Sequence, residues 1–252
     1  MRLFLLLNVI LILSTSCSVK NDVEFPYNAE REFSVDDYQK HLKQLAVNFI
    51  KNNKGYVYKV SYRTNKYLSK ISNRIISNNE SLFDKRKLNV YWIKDSRPIF
   101  FSLPGGYIFL SKGLLKSYVR SEDVFVSIIA YEILKSNLLI YKKNIVTPFE
   151  DISLDKVLLL SQIDIETMNK MNILTYEVLK RAGFDPESRL LWIQLQNKNS
   201  IDFALLYETP SILPKLEYMF KNYVSTRRDN LLEYERSASR DFYKFRKRII
   251  SF

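Results

Sequence analysis

Histidine occurs once in this chain of 252 residues, at His41, and cysteine once, at Cys17. The first scarcity rules out any pair of imidazoles, and with it the His-x-x-x-His spacing that seats catalytic zinc on one face of a helix. The second rules out an internal disulfide. Glycine is scarce too, five in all, and two of the five stand together at Gly105-Gly106. The sequence holds no internal repeat, no low-complexity linker and no nucleic-acid motif. Its apolar run at residues 3–13 is too short to span a bilayer, which takes roughly 20 residues.

What is present is enough for a sizeable core. Hydrophobic residues make up 46% of the chain and aromatics 14%, which argues for one folded domain with appendages and against disorder. Lys and Arg number 39 against 27 Asp and Glu, a formal charge of +12. The basic residues are spread along the whole chain, as on a solvated basic surface, so nucleic acid is not expected as a partner. The abundance of Lys, Asn and Ile fits a bacterial genome rich in A and T. At the N-terminus Met1-Arg2, the apolar run and Ser14-Thr15-Ser16 before Cys17 read as a secretory signal. The placing of Cys17 resembles a bacterial lipobox, in which the cysteine becomes the lipidated first residue. The expected organisation is a lipoprotein signal over 1–16, a polar tether over 17–34, a folded domain over 35–225 and a charged C-terminal helix over 226–252.

Periodicity places helices at 35–53, with Tyr38, Leu42, Leu45 and Phe49 inward, and at about 60–79, with Tyr67, Ile71, Ile75 and Ile76 inward. Residues 87–95 alternate as a strand, Pro104-Gly105-Gly106 signals a turn, and Tyr107-Ile108-Phe109-Leu110 reads as a second strand. A short helix from Lys112 precedes a long buried one over 122–140, with Ser121 as its N-cap and acids behind it. One long helix is expected over 154–181, stopped by Gly183 and Pro186, with further helices at 186–196, 214–224 and 227–252. The class is α+β, mostly helical, with a small sheet.

Three stretches in this order are informative: Leu103-Pro104-Gly105-Gly106-Tyr107-Ile108-Phe109, the helix with Tyr131-Glu132-Ile133-Leu134-Lys135, and Ala182-Gly183-Phe184-Asp185-Pro186. Together they resemble the gluzincin metallopeptidase family of HtpX, the CAAX prenyl protease and the periplasmic BepA-like peptidases, over about residues 88–219. The resemblance implies a zincin-like metallopeptidase domain. It also implies a His-Glu-x-x-His helix where this chain has Tyr131 and Lys135, and a third ligand, a glutamate, where counting back from Ala182 gives Met168. The aspartate that follows that glutamate falls on Asn172, and a slip of two residues would set the glutamate on Lys170, no better a ligand. The later His-Pro is matched by Thr209-Pro210. Of the family's machinery only the general-base position is kept, as Glu132.

Such a set is unsuited to zinc, so no cofactor is expected although the family carries one. Without a metal a free carboxylate is a weak activator of water. Lys135 either stands in for part of the zinc charge beside Glu132 or points to solvent from an open cleft. The family's strand near the Leu-Pro-Gly-Gly turn receives an extended substrate by backbone pairing; here that strand is Pro104, Gly105, Gly106, Tyr107 and Ile108, and a plain supporting hairpin is the other reading. The leading expectation is an exported, lipid-anchored pseudoprotease of the cell envelope. It would bind or assemble envelope proteins, with an extended peptide segment as partner and the membrane reached through the lipid. An endopeptidase with an unfamiliar site around Glu132 is the first alternative, and a structural envelope lipoprotein the second.

Overall fold

The structure, a computed structural model, describes residues 35–83, 88–138, 152–207, 209, 211–227 and 238–251. The signal, Cys17, the tether and the first half of the expected C-terminal helix lie outside the described residues.

The fold is mostly helical with a four-stranded mixed sheet. Helix α1 (Val35–Asn52) leads into the short strand β1 (Val57–Tyr58) and helix α2 (Tyr62–Ser77). Strands β2 (Asn89–Ile93), β3 (Phe100–Leu103) and β4 (Tyr107–Ser111) follow, then a π-type turn at Leu114–Tyr118 and helix α3 (Glu122–Asn137). The rest is helical: α4 (Leu154–Ser161), α5 (Ile165–Arg181), α6 (Ser188–Lys198), α7 (Ile212–Ser225) and α8 (Arg240–Ser251).

The sheet order is β1-β2-β4-β3. The last strand of the hairpin inserts beside β2, in parallel, with Trp92 opposite Leu110. It pairs with β3 in antiparallel fashion, Phe101 opposite Phe109. Gly105 and Gly106 both take positive φ, 88° and 78°, which a side chain would resist, so this pair of glycines sets the turn and with it the register.

Alternation along the strands divides the core in two. One sheet face, with Ile93, Phe101, Leu103 and Phe109, packs on Leu42, Leu45 and Phe49 of α1 and on Val157, Leu158 and Leu160 of α4. The other face, with Trp92, Phe100, Ile108 and Leu110, packs on α3 and on the aromatic residues of α2 and α8. Helix α3 is buried on all sides from Phe125 to Ser136, which is why its sequence is apolar all round rather than striped. Its start is set as the sequence indicates: the Ser121 hydroxyl accepts from Val124 N at 3.2 Å, with Glu122 and Asp123 in the first turn.

The stretch 154–181 departs from expectation. It is two helices, because the Asp164 carboxylate accepts from Thr167 N at 2.8 Å and starts α5 afresh after Gln162 and Ile163. The close of α5 follows the glycine signal. Gly183 has φ 69°, and Phe184 N reaches Leu179 O at 2.9 Å, satisfying a carbonyl at the helix end.

Candidate functional site

The four positions that the resemblance singles out, Tyr131, Glu132, Lys135 and Met168, line one small cavity of about 40 Å³. Helix α3 supplies the first three. Tyr131 and Lys135 share a face because they are four residues apart, and Glu132 lies one residue round. Met168 comes from the first turn of α5, 5% exposed. The break between α4 and α5 adds Gln162 and Ile163, and Tyr207 closes the site from the segment after α6.

Lys135 does not point to solvent. It is 7% exposed and donates from Nζ to the carbonyl of Ser161, the last residue of α4. Burial lowers its pKa; the Glu132 carboxylate works against that shift, and the nearby Arg189 guanidinium adds to it.

Arg189 is the residue that sequence reading missed. It projects from α6, is 3% exposed, and lays its guanidinium over the Tyr131 ring at 3.8 Å from the centroid. Its Nε donates to Asn172 Oδ1 at 2.7 Å. Burial acts against its charge, while the surrounding Tyr131, Tyr207 and Glu132 favour it. Tyr131 itself is pushed up by burial, so its phenol stays protonated at neutral pH. The Tyr207 hydroxyl accepts from Gln196 Nε2 at 2.6 Å, and its pKa rises to about 12, mainly through burial. Glu132 is 1% exposed, and its Oε2 has no hydrogen-bond partner.

These residues do not fit a zinc ion. Two cationic side chains and a thioether occupy the ground where imidazole and carboxylate ligands would be needed, and an arginine covers the Tyr131 ring. Glu132 is the one anionic oxygen donor among the described residues that line the cavity. Among the described residues no group of three or more His, Cys, Asp or Glu is gathered closely enough to hold a metal ion.

Pro104 to Ile108 lie away from this cavity, which takes only Phe100 from the sheet. Tyr107 and Ile108 belong to β4, a central strand paired on both edges. The sheet's edges are β1 and β3, and of the hairpin only β3 has a free edge for strand addition. All four β3 residues are buried, from 7% exposed at Phe100 to 0% at Leu103, and α4 packs beside them.

With this geometry in hand, comparison adds no relatives: no protein-family model matches the chain, and no curated protein matches it.

Proposed function

We propose that the chain is a zincin-like protein whose metal site has become a cationic, non-catalytic core, and that it serves the cell envelope as a binding or assembly factor held by a lipid on Cys17. The observation that carries this reading is the meeting of Tyr131, Glu132, Lys135 and Met168 around one cavity, with Lys135 and Arg189 where a cation would otherwise sit. A water-activating carboxylate is present, but nothing beside it would polarise a peptide carbonyl as a metal does. The α+β architecture and the hairpin ahead of a buried helix also agree with it. An extended partner would pair with β3, which requires α4 to lift from that strand. The burial of β3 favours the second reading, a structural envelope lipoprotein with no groove function.

The test combines two measurements on the purified full chain with crosslinking of that chain mixed with envelope extract. Elemental analysis is expected to find no stoichiometric zinc, and a casein assay no cleavage. A photo-crosslinking residue at Phe101 is expected to capture an envelope protein. Zinc at one per chain with cleavage abolished in Glu132→Gln would overturn the proposal. Crosslinks no different from those of the same probe at exposed Ile201 would leave the structural reading in its place.

A further inference from the structure

Strands β2 and β4 run parallel, and their last paired residues, Ile93 and Ser111, stand opposite one another. The residues that follow, Lys94 and Lys112, therefore leave the sheet side by side. Lys112 opens the helical turn that runs to Tyr118, and Lys116, four residues on, returns to the same side of it. These three lysines line one open cleft of about 360 Å³, together with Asp95, Ser96, Gly113 and Ser117. It shares no lining residue with the cavity between α3 and α6.

The charges of this cleft do not cancel. Asp95 is its one carboxylate, and both oxygens are already engaged. Oδ2 accepts from Arg97 Nη2 and from the Tyr56 hydroxyl, each at 2.6 Å, and Oδ1 accepts from Arg97 Nε at 3.0 Å. Lys94 lies over the Tyr58 ring at 5.6 Å. Among the described residues none of the three lysines pairs with a carboxylate. Behind the cleft, Arg246 donates to the carbonyls of Leu115, Val119 and Lys116 at 3.0, 3.0 and 3.1 Å. It thereby covers acceptors at the end of the turn that would repel an anion. Gly113 fixes the frame. Its N–H bonds the Asp95 carbonyl at 2.8 Å, and no Cβ would fit beside Ser96, so the segments that carry Lys94 and Lys112 cross in contact.

We infer that this cleft is a binding site for a phosphomonoester, whose dianion accepts from Lys94, Lys112 and Lys116 and from the hydroxyls of Ser96 and Ser117. Ammonium groups are compact charges that can surround a tetrahedral phosphate, whereas a planar carboxylate is better met by the fork of an arginine. The volume of the cleft leaves space beyond the phosphate for the group that carries it. That group is either a small soluble molecule or the diacylglycerol of a lipid, and the chemistry at the cleft is the same. The inference needs neither the zincin resemblance nor a lipid on Cys17.

The experiment records phosphorus-31 spectra of glycerol 3-phosphate with the purified full chain, at neutral pH and constant ionic strength. Line broadening is expected to saturate with a single Kd, and Tm to rise along the same curve, while chloride at equal ionic strength leaves Tm unchanged. Lys94→Gln, Lys112→Gln and Lys116→Gln should each raise Kd about tenfold, the worth of one hydrogen bond to a charged group. None of the three lysines is buried, so the variants should keep the wild-type Tm without ligand. A control triple variant, Lys51→Gln with Lys215→Gln and Lys221→Gln, removes as much charge from exposed positions outside the cleft and should leave Kd unchanged. Dibutanoyl phosphatidic acid, a soluble lipid, separates the two sources. Binding tighter than that of glycerol 3-phosphate by about tenfold or more assigns a lipid headgroup, and weaker or similar binding a soluble ester. Broadening that does not saturate overturns the inference. So does a Kd that the control triple raises as much as the three cleft exchanges combined.

Discussion

Lys135 ends its long aliphatic stem in an amine held inside the core, beside Glu132 and Arg189. It stands four residues after Tyr131, so the two share a helix face, and at 7% exposed it is too buried to be a surface lysine. Its depressed pKa has a definite consequence for stability. In the unfolded chain the amine holds its proton up to the ordinary value of 10.5, whereas in the fold it gives it up earlier. Between those two points the unfolded chain binds more protons, so folding becomes more favourable as pH rises. Wild type should therefore gain Tm relative to Lys135→Met between pH 7 and pH 10.5, as read by paired thermal melts. A constant difference across that range would show that burial does not shift this amine. Arg189 was harder to foresee. An arginine three residues after Pro186 reads as a solvated helix residue, and only the meeting of α3, α5 and α6 buries it.

At the scale of elements, the sequence was legible where the signal is local. The capping serine of α3, the glycine pair of the hairpin and the Gly183 stop are short-range chemistry, and each acts as its residue type predicts. The break between α4 and α5 was hidden because Leu158, Leu160, Ile163 and Met168 keep an apolar rhythm across it, while its cause, the Asp164 cap, is one residue within that run. Strand β1, two residues long, has no periodicity to read. Gly113 is another position whose role lies in the fold rather than in the sequence. Its φ is an ordinary helical −59°, yet an added Cβ would stand 2.0 Å from the Ser96 carbonyl oxygen, because Gly113 N bonds Asp95 O where the two segments cross. Gly113→Ala should cost about 3 kcal/mol or more, since backbone must move. Gly55→Ala, at φ 89° with no atom within 4 Å of the added carbon, should cost only about 1–2 kcal/mol of backbone strain. Chemical denaturation of both variants checks the order, and equal costs would mean that the loop at Ser96 yields freely.

For the whole molecule, the decisive contact joins the end of the chain to its first half. Helix α8 carries Arg240, Lys244, Lys247 and Arg248 on its exposed side, as its charged sequence suggests. Its other side is aromatic and buried. Phe245 is 1% exposed and stands 4.6 Å from the Tyr67 ring, 5.1 Å from Phe125 and 5.9 Å from Trp92, while Phe242 fills the adjoining space. Arg246 fastens the helix by donating from Nε to the carbonyls of Leu115 and Val119, each at 3.0 Å, so that it caps the π-type turn that leads into α3. Phe242, Phe245 and Ile249 of this helix belong to the main core. That placement matters for the cavity too, because α8 braces the buried helix that carries Tyr131, Glu132 and Lys135. Truncating Phe245 to alanine removes a fully packed ring, a loss of about 3–5 kcal/mol, equivalent to a fall in Tm of roughly 10 °C in a chain of this size. Trp92 fluorescence should shift to the red in the same melt, since water would reach a side chain that is now wholly buried. Tyr243→Ala, on the outer side and 56% exposed, should melt within about 2 °C of wild type. If Phe245→Ala melts as high as Tyr243→Ala does, α8 is an appendage after all, and the support of the site must come from α5 and α6 alone.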